Sequence, residues 1–228
     1  MFGLGGPRRP SAVAFDIIGT VFSLEPLRAT VMAMGLPPAG LEGWFAAGCR
    51  DAFALAAAGD FAPFTAMLEG ALDQVLAEQR LDPPHAERKA LVRQLETLPP
   101  RSDARAAFIM LTNAGIAVLA VSNGAKSSTR TLLEKGGLAD LVTAVVSVDE
   151  VKLSKPRREV YEHAARQAGF EPGDLALVAV HPWDVNGAAA AGLTTAYLTA
   201  ERPYPKAMRP PDVEAASLSE LARKLLAL

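Results

Sequence analysis

Short runs of apolar and β-branched residues alternate along this chain with longer stretches whose apolar positions recur three or four apart. That rhythm marks a parallel sheet wrapped by helices. The first run, residues 12–15, reads as a buried strand ending in Asp16. Strand signals then stop. From about Glu25 to Pro100 only helical periodicity is found, over residues 41–58, 65–79 and 86–98. Pro and Gly groups at 35–38, 59–60, 82–84 and 99–100 separate these helices.

From Ser102 the alternation resumes. Helices are predicted over 102–114, 127–136, 158–168 and about 184–191, and strands over 117–121, 142–148, 175–180 and 195–198. Ser217 and Glu220 have the spacing of a capping box opening a last helix. One strand, an all-helical insert, then a resumed series predicts an α/β protein, with a Rossmann-like parallel sheet core formed by residues 1–24 and 101–228 and a helical cap domain formed by 25–100. The first ten residues, with Gly3, Gly5 and Gly6, read as a loose tail. The Pro-rich stretch 202–211 reads as a surface loop or a dimer contact.

Composition narrows the partners. With 50% hydrophobic residues in 228, the chain can bury a sizeable core. Its 23 basic against 25 acidic residues leave no positive excess for a polyphosphate backbone, so nucleic acid is not expected. No apolar run is long enough for a signal-peptide core or a membrane span. A single cysteine, Cys49, cannot form an internal disulfide and suits a reducing cytoplasm.

Ligands of open parallel sheets bind at the carboxyl ends of the strands, which selects the polar residues to consider. Asp16 and Thr20 follow the first strand, Ser122 and Asn123 another, Lys155 a third, and His181 and Asp184 a fourth. An anionic nucleophile, hydroxyl and amide donors, one lysine and a second acid at one sheet edge match the needs of attack by a carboxylate.

The segments FDIIGTVF at 15–22, VSNG at 121–124, LSKPRREVY at 153–161 and HPWDVNG at 181–187 together resemble the haloacid dehalogenase superfamily, over residues 12 to 200 or so. The resemblance implies a Rossmann-like core under a helical cap. Most members of that superfamily are Mg-dependent phosphatases with a second Asp two residues after the nucleophile. Here that position is Ile18. A phosphomonoester leaving group needs a proton and a halide does not, so an apolar residue is tolerable only for the second. Val180 also stands where the phosphatases' first metal-binding acid would lie. No metal and no other cofactor is expected.

The chain is most similar to the type II branch, the L-2-haloacid dehalogenases, which share the non-acidic second position, a Lys-Pro-x-x-x-x-Tyr segment and a Trp-Asp pair. The resemblance implies that Asp16 displaces halide from C2 of a short (S)-2-haloacid, giving an ester, and that Lys155 keeps Asp16 ionised. Thr20, Ser122 and Asn123 would hold nucleophile and substrate, Tyr161 would orient near Lys155, and Asp184 would help position or activate water. Arg50, on the first long helix, is the candidate halide cradle, and Phe61 and Trp183 are candidates for the apolar wall.

Three positions depart from that branch: Ile18 replaces a common aromatic, Ala179 a Ser and His181 an Asn. His181 is either a base for ester hydrolysis or a structural hydrogen-bonding residue. A homodimer is the family expectation. Two other readings stay open, a phosphatase acting on a small phosphate ester and a non-catalytic carboxylate-binding protein of the same fold.

Overall fold

A computed structural model describes residues 8–199 and 203–228. Six strands form one wholly parallel sheet: β1 (Ala12–Asp16), β2 (Ala117–Ser122), β3 (Ala144–Ser147), β4 (Leu175–Ala179), β5 (Thr194–Leu198) and β6 (Val213–Ala215). Their order is β3-β2-β1-β4-β5-β6, with β1 central. All residues of β1, β4 and β5 are buried. That is why these segments read as apolar runs and not as an alternation: both faces of a parallel sheet are covered. Val13 and Phe15 face one apolar cluster, with Phe108 and Leu221, while Ala12 and Ala14 face the other, with Val160 and Val185.

Between β1 and β2 lie α1 (Arg28–Ala33), α2 (Gly40–Ala58), α3 (Phe64–Glu78), α4 (His85–Gln94) and α5 (Ala104–Asn113). The later helices are α6 (Lys126–Lys135), α7 (Arg158–Ala168), α8 (Pro182–Ala191) and α9 (Leu218–Leu226). Helices α2 and α3 pack closely because Gly48 lies against Leu68, where a Cβ would come within 2.7 Å of a Leu68 methyl. The Trp44 indole N–H donates to the Leu68 carbonyl at 2.7 Å in the same seam. The chain leaves the sheet and returns to it at one place, where Phe22 and Pro100 form an antiparallel bridge and the Arg101 N–H donates to the Val21 carbonyl. No helix among the described residues is long and apolar enough to cross a membrane.

Several expectations need correction. Part of the expected tail, residues 1–7, lies outside the described residues, but Arg8 pairs with Asp174 at 2.7 Å and Arg9 donates to the Ala114 carbonyl, so the chain is tethered from there on. Residues 200–202 are likewise outside. Strand β6 was not expected, because three residues with an exposed Glu214 in the middle carry too little pattern. Strand β3 is shorter than expected, since Val148 already starts a 3-10 turn. The capping box of α9 is half formed: Ser217 accepts from the Glu220 N–H, but the Glu220 carboxylate pairs with Lys224.

Candidate active site

Asp16 ends the central strand, so its side chain emerges at the carboxyl edge of the sheet. Its two oxygens are held from opposite directions. Lys155 Nζ lies 2.8 Å from Oδ1, and the Thr20 hydroxyl donates to Oδ2 at 2.6 Å. Thr20 is itself fixed, because its Oγ1 accepts the Val180 N–H at 3.0 Å. Lys155 also reaches Asp184 Oδ2 at 2.7 Å, and the Tyr161 hydroxyl donates to Asp184 Oδ1 at 2.6 Å. Gly187 makes the last contact possible, since a Cβ there would stand 2.7 Å from the Tyr161 oxygen.

This chain of groups is buried, and burial works against every charge in it. Burial raises the Asp16 carboxyl, but Lys155, His181 and the hydrogen bonds outweigh it and leave Asp16 below the usual carboxylate range. Burial also pulls the Lys155 ammonium down, and its two carboxylate partners more than restore it, to above 10.5. At Asp184 burial wins, and its carboxyl is raised. Burial and the neighbouring Asp184 push the Tyr161 hydroxyl well above its ordinary value, which keeps it a donor. Of the two acids sharing one lysine, Asp16 is thus the one whose ionised form is favoured, and it opens on a chamber, while Asp184 is wholly buried.

A second strand end adds donors. Asn123 Oδ1 accepts the Lys155 backbone N–H at 2.9 Å, which fixes the amide orientation. Its Nδ2 is buried without a hydrogen-bond partner among the described residues. Ser122 Oγ accepts the Gly124 N–H at 2.9 Å and keeps its own proton to give. A buried unpaired donor costs about 1–3 kcal/mol, so Asn123 Nδ2 is free to gain from an incoming acceptor.

The remaining walls are apolar. A chamber of about 10 Å³ at Asp16 is lined by Ile18, Phe45, Phe64, His181 and Trp183 together with Ser122, Asn123 and Gly124. That is room for roughly one water molecule. The His181 ring is sandwiched between Phe45, at 5.5 Å and 22°, and Trp183, at 5.1 Å and 13°. Its Nε2 lies 2.9 Å from the Ile18 carbonyl and 3.6 Å from Asp16 Oδ2. A carbonyl only accepts, so Nε2 carries a proton. Gly19, at φ +92°, permits this approach: a Cβ there would sit 2.7 Å from Nε2.

Asp16, Thr20, Ser122, Asn123, Lys155, Tyr161, Asp184, His181, Ile18 and Trp183 therefore meet at one place. Arg50 and Phe61 do not. Arg50 is 62% exposed, with its guanidinium on Asp51 and Gln74 at 2.8 Å each. Phe61 lies under the Lys152 ammonium, 4.9 Å from its ring centre, and lines no part of the Asp16 chamber. The residue of α2 that does face Asp16 is Phe45. Five residues turn a helix by about 140°, so Phe45 and Arg50 point to different faces. Phe64 and Arg101 were also missed. The Arg101 guanidinium donates to the Thr20 and Gly19 carbonyls at 2.8 and 3.0 Å, clamping the loop behind Asp16 from the point where the chain re-enters the sheet.

The donor set does not suit Mg²⁺, which asks for oxygen ligands in octahedral order. Lys155 Nζ bridges the two carboxylates and Val180 offers no ligand. No group of three or more His, Cys, Asp or Glu placed to hold a metal ion is found among the described residues.

A family model described as haloacid dehalogenase-like hydrolase matches residues 10–192. (S)-2-haloacid dehalogenase 1 of Pseudomonas sp. (strain CBS-3) is 30% identical over 171 residues, 75% of each chain. (S)-2-haloacid dehalogenase of Xanthobacter autotrophicus is 28% identical over 188 residues, 81% of this chain and 73% of that one. Among solved structures, L-2-haloacid dehalogenase from Xanthobacter autotrophicus with chloropropionic acid covalently bound superposes with a TM-score of 0.82 at 23% identity, covering 94% of this chain and 97% of that one. The match of sequence across four fifths of the chain, on a sheet whose central strand delivers Asp16 beside Lys155, makes this protein a member of the haloacid dehalogenase-like hydrolase family.

Proposed function

We propose that the protein hydrolyses (S)-2-haloacids to (R)-2-hydroxyacids through a covalent ester on Asp16, without a metal. The observation that carries this reading is a buried, ionised Asp16 gripped by Lys155 and Thr20 and opening on a chamber in which the residue two positions on, Ile18, is an apolar wall. A carboxylate so placed can attack carbon, and no carboxylic acid stands at position 18 to protonate a phosphate ester's leaving oxygen. The similarity to curated (S)-2-haloacid dehalogenases supports the same chemistry.

In the first step an Asp16 oxygen attacks C2 from the face opposite the halogen. The C–O bond forms as the carbon–halogen bond breaks, the halide leaves with the bonding pair, and the centre inverts. Asn123 Nδ2 and the Ser122 hydroxyl are the donors left for the substrate's carboxylate or the departing halide. In the second step water adds to the Asp16 carboxyl carbon. The bond from that carbon to the substrate oxygen breaks, the hydroxyacid leaves with an oxygen from the protein, and one proton is released. Lys155 stabilises charge on the Asp16 oxygens in both steps, and Asp184 with Tyr161 holds Lys155 there. His181, with a proton on Nε2, braces the Ile18 carbonyl and lends positive potential to Asp16. Residues 25–100 act as a cap over a core of 1–24 and 101–228, and the lone Cys49 suits a cytoplasmic enzyme.

Single turnover in ¹⁸O-water tests the mechanism. One ¹⁸O should appear in the Asp16 peptide and none in the first hydroxyacid formed. Label in the product, with none in the protein, would mean direct attack by water and would overturn the ester route.

A further inference from the structure

The chamber at Asp16 holds about one water, yet it abuts a much larger cavity of about 410 Å³. The rings of Phe45, His181 and Trp183 line both, so the partition between them is a single stack of side chains. Beyond the stack Leu24, Leu41, Cys49 and Phe53 form the apolar walls, with Phe53 packed edge-on against Trp183 at 5.0 Å, and Ser23 and Arg50 add polar groups at the edge. Arg28 also lines it, already paired with Glu25 and Glu42, which line it too. Cys49 lies near enough to sense the catalytic charges: burial pushes its thiol up to about 12, and the fields of Asp16, Lys155 and Asp184 all act on it.

A reacting carbon must lie against Asp16, and a carboxylate is best served at the Ser122 and Asn123 edge. The third substituent on that carbon is then left facing the ring stack. A cavity of this size is typical of small-molecule sites. It is far larger than a methyl group needs.

We propose that the 410 Å³ cavity is a subsite for the C2 substituent, and that the preferred substrates are 2-haloacids bearing an apolar alkyl or arylalkyl group well larger than methyl. This inference rests on the haloacid reading above. The Phe45, His181 and Trp183 stack shifts to admit the group, and Leu24, Leu41, Cys49 and Phe53 bury it. Each added methylene buried there should raise kcat/KM about fourfold.

Halide release from 2-bromopropionate, 2-bromohexanoate and 2-bromo-3-phenylpropionate tests the subsite. The two larger acids should be turned over with kcat/KM at least tenfold above 2-bromopropionate. Ala46→Trp, at the exposed rim of the cavity, should bring that ratio towards one while leaving 2-bromopropionate unchanged. A ratio that is flat or falling with size in the unmodified protein overturns the proposal. So does collapse of the ratio in Ser128→Phe but not in Ala46→Trp, because Ser128 lines a different cavity, of about 260 Å³, which meets the Asp16 chamber at Ile18, Phe64, Ser122 and Gly124. If no haloacid is turned over, the haloacid reading fails and the subsite is judged by calorimetry with the unreactive acids. Hexanoate binding more tightly than propionate, with the difference lost in Ala46→Trp, upholds it, and equal binding overturns it.

Discussion

The two sides of the Asp16 chamber are built from different material. On the sheet side, Asp16, Thr20, Lys155, Asp184 and Tyr161 form one buried run of hydrogen bonds at 2.6–2.8 Å. Each of these groups sits at or just beyond a strand end or on a helix packed behind it. On the other side, Phe45 and Phe64 come from the inserted helices and pack edge-on against each other, Phe45 stacks on His181, and His181 stacks on Trp183. The polar side has one arrangement that satisfies its charges, because any displacement leaves a buried ion unpaired. The ring side can shift without such a penalty. On the proposed mechanism the chemistry belongs to the first and substrate choice to the second, and substitutions on the two sides should fail in different ways.

The largest effect is expected on the polar side. Asp16→Asn should lower halide release by at least about a thousandfold with little change in thermal stability, since the amide cannot attack carbon and is nearly isosteric. Retention of more than a tenth of the activity, once deamidation and contamination are excluded by mass, would remove Asp16 as nucleophile.

Lys155→Met should damage activity and fold together. It leaves two buried carboxylates facing each other, a change worth about 3–5 kcal/mol in denaturant unfolding. The pH dependence has a definite sign. Because Lys155 is raised above 10.5 in the folded protein, its stabilisation is full below pH 10.5 and is lost as pH rises beyond it. The alkaline fall in stability should therefore be steeper in the unmodified protein than in Lys155→Met. Equal slopes would mean that the ammonium is not held by its partners.

The division also explains what was legible beforehand. Strand ends are fixed points: the run into Asp16 and the motifs carrying Ser122, Lys155 and Asp184 can be placed to the residue, and the parallel sheet brings them to one edge. The helical insert offers no such anchor. Its periodicity gives helices, but an error of a few positions turns a side chain to another face, as with Arg50 for Phe45. Phe61, three residues past the end of α2, was misplaced because it sits in the loop between α2 and α3, whose path no periodicity gives. Phe45 itself carried a signal, since it adjoins buried Trp44, but nothing local tells a core aromatic from a chamber wall. Arg101 was invisible because its partners are carbonyls, which any sequence supplies.

His181 joins the two sides, so its substitution discriminates between them. With Nε2 given to the Ile18 carbonyl, its chief contribution is to hold the loop and the ring stack. His181→Ala should slow the first-turnover burst and the steady state alike, by about tenfold, a hydrogen bond's worth. A burst of one halide per site followed by accumulation of the Asp16 adduct would instead make it the base of the hydrolytic step, with Nδ1 as the accepting atom.

The smallest effect is expected at Arg50, where a guanidinium was anticipated as the halide cradle. Its side chain is largely exposed, its Nε and Nη2 are on Asp51 and Gln74, and the chamber is lined by Phe45 instead. A surface pair of this kind contributes about 0–1 kcal/mol to stability and touches no reacting atom. Arg50→Ala should therefore change kcat/KM for 2-bromopropionate less than twofold, at low and at high salt. Phe45→Ala, one and a half turns earlier on the same helix, should alter KM and the order of substrate preference while the burst amplitude stays at one halide per site. Should Arg50→Ala abolish halide release while Phe45→Ala is silent, α2 would have to turn in the working enzyme to bring its cation over Asp16, and the apolar wall would belong to a resting form.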